Sequence, residues 1–196
     1  MSFKIFSTKV TVSFLFTAMV CVLLLCDRTG FAFPMLCSVV FHEAGHFLAM
    51  YVCGCAPTEV RLIPGSVQIC SPSVCLKHEV FILVCGPLIN LLLFSVLFVN
   101  CYIFSNISFL EFSIINLVYG VFNMLPLKGV DGGSILHIFL TRFFGFQKAD
   151  RTLNIITLVG ALFAFLGAFF LTANGTVNYS VYIMALYLIL SVFLKF

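Results

Sequence analysis

Residues 31 to 53 read FAFPMLCSVVFHEAGHFLAMYVC, an apolar run interrupted by His42, Glu43 and His46. A run of this length suits a helix crossing a bilayer core of about 30 Å, which needs about 20 apolar residues. Ionisable groups inside such a helix cost at least ~2.5 kcal/mol each on insertion scales, so three together call for a function. Their spacing is HExxH. Residues four apart share a helix face, so His42 and His46 can present imidazole nitrogens to one metal ion. Glu43 is displaced around the helix by one position and its longer side chain reaches a water at the metal, which is where a general base works.

The rest of the chain explains why this run lies in lipid. The 196 residues are 62% hydrophobic and 9% charged, with 25 Phe. A soluble domain carries about 25% charged residues, so a soluble fold is excluded. The net charge of +3 is small and dispersed, which points away from nucleic acid. Six apolar segments are expected to span, approximately Val10 to Cys26, Phe31 to Cys53, Val80 to Phe104, Phe109 to Leu125, Leu153 to Ala173 and Asn178 to Phe196. The first follows Lys4 and Lys9 like a signal peptide, but Asp27-Arg28-Thr29-Gly30 offers no small-x-small cleavage site, so it is expected to remain as an anchor.

Basic residues are retained on the cytoplasmic face, and with both termini inside only Arg28 of the ten Lys and Arg falls outside. The expectation is an all-α multi-pass protein of the cell membrane, a single domain over 1–196. Its one β-like element would be a short cytoplasmic-side hairpin, where Glu59-Val60-Arg61-Leu62 alternates and Pro64-Gly65 reads as a turn before Val67-Gln68-Ile69. Cysteines within apolar runs (Cys21, Cys85, Cys101) act as small hydrophobes; Cys53, Cys55, Cys70 and Cys75 could form a thiolate site but contain no CxxC pair. Sequons at Asn106, Asn174 and Asn178 fall in or beside the expected outer turns.

Catalytic zinc takes three protein ligands. Glu59, Glu79 and Asp150 lie near basic residues and are explained as solvated interfacial groups. Asp131 is different: Pro126 stops the fourth apolar segment, and Gly129, Gly132 and Gly133 permit a sharp path that folds Asp131 back toward the metal. Ser113, Asn116, Gly120 and Asn123 share one face, with Ser113 and Asn116 read as interhelical hydrogen bonding and Asn123 as a donor to a substrate carbonyl or oxyanion. Gly86-Pro87-Leu88-Ile89-Asn90 adds a kink and an amide for which packing and catalysis are both open. His78 reads as interfacial and His137 carries a weak signal.

Three elements together resemble the site-2 proteases, a family of intramembrane zinc metalloproteases. They are His42-Glu43-Ala44-Gly45-His46 followed by Leu48-Ala49, Gly86-Pro87-x-x-Asn90, and Asn123-x-x-Pro126-x-x-x-x-Asp131-Gly132, in that order. The resemblance implies one Zn2+ per chain bound by His42, His46 and Asp131, Glu43 as base, and Asn123 holding substrate or intermediate. It also implies regulated cleavage of a membrane-tethered protein. The layout is similar to the sporulation-type branch, without an inserted PDZ module or a C-terminal sensing domain. Lys128-Gly129 stands where the family commonly has a second proline, and Ser134 where a basic residue often follows the glycines.

With the cytoplasmic surface at Cys53, His46 would lie about 10 Å and His42 about 16 Å below it. A polar cleft must then bring water to the metal. The rival readings are a metal-ion transporter, which lacks support from internal repeats, and an inactive scaffold that binds membrane segments, which has no need of Glu43.

Overall fold

A computed structural model describes residues 2–5, 8–28, 30–63, 66–70, 75–173 and 179–193. The chain divides into two compact units, Met1–Val121 and Phe122–Phe196.

The first unit opens with two strands, β1 (Ser2–Ile5) and β2 (Thr8–Val12), before the short helix α1 (Phe14–Cys26). The expected span from Val10 is therefore divided. Lys9-Val10-Thr11-Val12 alternates and pairs as a strand, and the remaining 13-residue helix is only about 20 Å long. After α2 (Ala32–Val52) come β3 (Glu59–Ile63) and β4 (Ser66–Cys70). The hairpin is present, with Glu59 opposite Cys70 and Ile63 opposite Ser66, while its Pro64-Gly65 turn lies outside the described residues.

The hairpin is half of a larger element. All four strands form one sheet in the order β1-β2-β3-β4. The central pair is parallel, with Lys9 beside Glu59 and Val12 beside Leu62. Parallel pairing needs a long connection, and α1 with α2 provides it. Because β2 and β3 are hydrogen-bonded, the strand before α1 and the strand after α2 lie side by side.

Helix α2 turns its small and polar residues inward: Ser38, His42, Gly45, His46 and Ala49 are buried, while Val40, Phe41, Leu48 and Val52 are exposed. This inversion is the pattern for a helix in lipid. Its start is tied by Asp27, whose carboxylate accepts from Ala32 N at 2.8 Å and Gly30 N at 3.0 Å. A Cβ on Gly45 would sit 2.7 Å from Cys85 O, so the missing side chain lets α2 lie close against α3 (Leu76–Phe104). That helix runs through Pro87. Helix α4 (Ile107–Asn123) follows, with Ser113, Asn116, Gly120 and Asn123 buried along one face as their spacing requires.

The second unit begins at the end of α4. It continues through a turn to α5 (Asp131–Phe144), α6 (Phe146–Ala173) and α7 (Tyr179–Phe193). Helix α5 is amphipathic and was not among the expected spans; α6 starts before the expected Leu153. Leu127, Val130, Ala161 and Leu188 form its core, with Phe122 and Tyr187 against them.

The protein is thus mostly helical, and its helices are those of a membrane protein. Among the described residues α2, α3 and α6 are long and apolar enough to cross a membrane by length and composition; α1, α4 and Tyr182–Val192 of α7 are shorter apolar helices. The sequons at Asn174 and Asn178, and Lys195 of the orientation argument, lie outside the described residues.

Candidate metal centre

In the first unit the two imidazoles of α2 meet edge to face, with ring centroids 4.8 Å apart. Their outer nitrogens are both engaged. His42 Nδ1 lies 2.8 Å from Asn90 Oδ1, and His46 Nδ1 lies 2.8 Å from the carbonyl oxygen of Ile82. A carbonyl can only accept, so His46 carries its proton on Nδ1; the side-chain carbonyl of Asn90 places the same demand on His42. Both Nε2 atoms then present lone pairs, and they lie 3.2 Å apart. Two acceptors this close repel each other in neutral rings. A cation between them relieves the repulsion, and the arrangement of Nδ1 on an oxygen and Nε2 turned inward is the usual form of a histidine metal ligand. The donor chemistry fits a divalent metal.

Gly86 makes room for the pair. A Cβ there would overlap His46 Cε1 and Nε2 and stand 3.0 Å from His42 Nε2. The glycine of Gly86-Pro87-x-x-Asn90 thus faces the rings directly, and Asn90, one helical turn later, holds the first of them. Tyr119 of α4 packs on His42 with centroids 5.1 Å apart. Glu43 is half-buried on the neighbouring position of α2.

In the second unit Asp131 is the first residue of α5, where a carboxylate is favoured by the helix dipole. The turn before it is closely packed. A Cβ on Gly132 would overlap Met124 O, and one on Gly133 would overlap Leu127 O. Gly129 has φ +91°, in the left-handed region glycine tolerates. Lys128 anchors the turn to α6: its N–H donates to Thr157 Oγ1 at 2.8 Å and its Nζ to Asn154 Oδ1 at 3.0 Å, with Asp150 Oδ1 at 3.5 Å. Asn123 ends α4 and is 8% exposed.

The remaining expectations resolve as follows. Asn116 makes the expected interhelical hydrogen bonds, with Ser38 and Asn90, and Ser113 does so with Phe94 O at 3.1 Å, while Asn90, for which packing and catalysis were both open, joins the His42 environment. His137 packs edge-on against Phe146 at 5.4 Å. Cys55 bonds Cys53 O at 3.2 Å, and among the described residues no group of possible metal ligands includes a cysteine. Tyr119 was not signalled by the sequence, since one tyrosine in an apolar helix has no distinctive spacing. Outside the spans, Arg61 hydrogen-bonds Glu59 at 2.8 Å and, with Lys9 at 3.8 Å, holds its carboxyl below the usual value.

Known proteins bear on this geometry in three ways. The structure superposes on a site-2 protease from Methanocaldococcus jannaschii with a TM-score of 0.72, covering 98% of this chain and 94% of that one at 24% identity. The chain has the site-2 protease fold. The pattern described as peptidase family M50 matches residues 104–167, the stretch that holds Asn123, Pro126 and Asp131. A curated zinc metalloprotease of the same archaeon is 27% identical over 155 residues, or 67% of this chain. The chain spans about half the length of that relative, 46%. The resemblance carried by the three motifs therefore holds at the level of fold, and the family pattern covers the stretch with the third motif.

Proposed function

We propose that this protein is an intramembrane zinc metalloendopeptidase acting on membrane-tethered proteins, its two units working as one peptidase domain. The observation that carries the reading is the pair of facing Nε2 atoms, each with its Nδ1 committed to an oxygen. Two imidazoles and one carboxylate suit catalytic zinc, so in this reading His42, His46 and Asp131 are its ligands. Zinc, when bound, supplies Lewis-acid polarisation of a carbonyl and acidification of water.

In this reading Glu43 takes a proton from the attacking water and delivers it to the leaving amine nitrogen. Asn123 donates its amide N–H to the carbonyl oxygen as negative charge develops there. The inward-facing polar residues of α2 and α4 favour a water path from the cytoplasmic side. A helical substrate must be extended before its peptide bonds are reachable, and β4, last in the sheet order, offers an edge to which an extended segment can pair. Six passes with both termini cytoplasmic fit the charge pattern and the joining of β2 to β3.

The test is Glu43→Gln. The variant should keep zinc, measured by elemental analysis of purified protein, and lose hydrolysis, measured as a tethered precursor that accumulates in the membranes of cells carrying it. Unchanged membrane proteins in active and Glu43→Gln cells would refute the reading. Deleting Pro64-Gly65 should impair cleavage more than zinc retention; loss of zinc would make the sheet purely structural.

A further inference from the structure

Behind His42 lies a chain of buried amides whose direction is fixed at its far end. Asn116 Nδ2 donates to the backbone carbonyl of Phe112 at 2.8 Å, so its Oδ1 must face the other way. That oxygen accepts from Ser38 Oγ at 3.1 Å and from Asn90 Nδ2 at 3.0 Å. Asn90 Nδ2 also points at Ser38 Oγ, 2.9 Å, and Ser38 O, 3.1 Å. With its amino group surrounded by acceptors, Asn90 has one orientation, which turns Oδ1 to His42 Nδ1 at 2.8 Å. Ser38, Asn90 and Asn116 have no exposed surface, so water cannot substitute for any of these partners.

We infer that Asn90, oriented by Asn116 and Ser38, is a positioning residue that sets the tautomer of His42 and aims its Nε2 lone pair at the metal position. The sequence of dependence runs from a backbone carbonyl on α4 through two amides on α4 and α3 to the imidazole on α2. His46 needs no such device, because the Ile82 carbonyl cannot rotate. A side-chain amide can, and a flipped Asn90 would present an N–H to Nδ1 and move the ring proton to Nε2, where it blocks a metal. The role rests on the metallopeptidase reading for its purpose, though not for its geometry.

Two measurements on the full chain test it. In cobalt(II) titrations followed by visible absorbance, wild type should bind one ion. Asn90→Leu removes the acceptor at similar volume and should bind roughly 10- to 100-fold more weakly, the usual cost of losing such support. Asn90→Asp keeps an acceptor for Nδ1 and should restore most of the affinity, which a packing role alone would not predict. Asn116→Leu frees Asn90 to turn and should fall between. In 15N spectra of histidine-labelled, metal-free chain, His42 should show the Nδ1–H tautomer in wild type and a shift toward Nε2–H in Asn90→Leu.

Equal cobalt affinity in wild type and Asn90→Leu, with the same 15N shifts, would overturn the inference and leave the peptidase reading standing. A wild type that binds no cobalt would sink the peptidase reading, while the 15N comparison still decides what Asn90 does. If Asn90→Leu does not fold, Asn116→Leu and Ser38→Ala decide by the same two readouts.

Discussion

The two units hold their candidate ligands by different means. Around His42 and His46 the first unit builds a buried polar network, with each Nδ1 on an oxygen 2.8 Å away. Around Asp131 the second unit relies on close backbone packing against Gly132 and Gly133, a left-handed Gly129 and the tether from Lys128 to Thr157. The chemistry of the ligands explains the contrast. An imidazole offers a lone pair only in the right tautomer, so its partner must be chosen. An ionised carboxylate accepts through either oxygen, and only its position must be fixed.

The comparison predicts graded losses. The largest follows Gly86→Ala, whose methyl would enter the space of both rings. Purified protein should lose most of its zinc by elemental analysis, a greater effect than the roughly 10- to 100-fold expected of changes behind the ligands. Zinc retained at wild-type level would show that the rings have room to move and would weaken the case for a rigid first unit.

Next comes Gly133→Ala, whose Cβ would overlap Leu127 O. Backbone carbonyls yield poorly, so a loss of about 1–3 kcal/mol is expected, read as a lower melting temperature. Hydrolysis should fall with it, while the His42 15N signals stay as in wild type. Disturbed histidine signals would mean that the two means of support are not separable.

Thr157→Val is milder. It removes the acceptor for Lys128 N–H and should cost about 1 kcal/mol in thermal or denaturant unfolding, without changing histidine tautomers. The smallest effect concerns Glu59. Its carboxyl is held below the usual value, so the stability it contributes is present above the ordinary carboxylate range and is lost as pH falls through the lowered value. Arg61→Gln removes the principal cause and should raise the Glu59 titration midpoint in an NMR pH series. Zinc content should not follow, since this exposed ion pair lies on the sheet.

Much of this was legible in the chain, for local reasons. HExxH on an apolar run places two imidazoles on one face by helix geometry alone, and Asn123-x-x-Pro126 with its following glycines marks a tight turn before Asp131. The N-terminal strands were not legible as such. Lys9-Val10-Thr11-Val12 alternates, yet it abuts an apolar run, and its partner at Glu59 to Leu62 lies beyond two helices. Gly86 and Asn90 could be singled out as a motif, but not given their tasks.

By itself the sequence determined what depends on near neighbours: most of the apolar helices, the face shared by His42 and His46, the hairpin and the identity of the candidate donors. Only the tertiary structure decided which carbonyl each Nδ1 meets, which way Asn90 turns, and that β2 lies beside β3. Those choices are made between groups far apart along the chain, 48 residues for His42 and Asn90. No local periodicity encodes such a partner; it is selected because a buried polar group without one costs more than the ordering that supplies it.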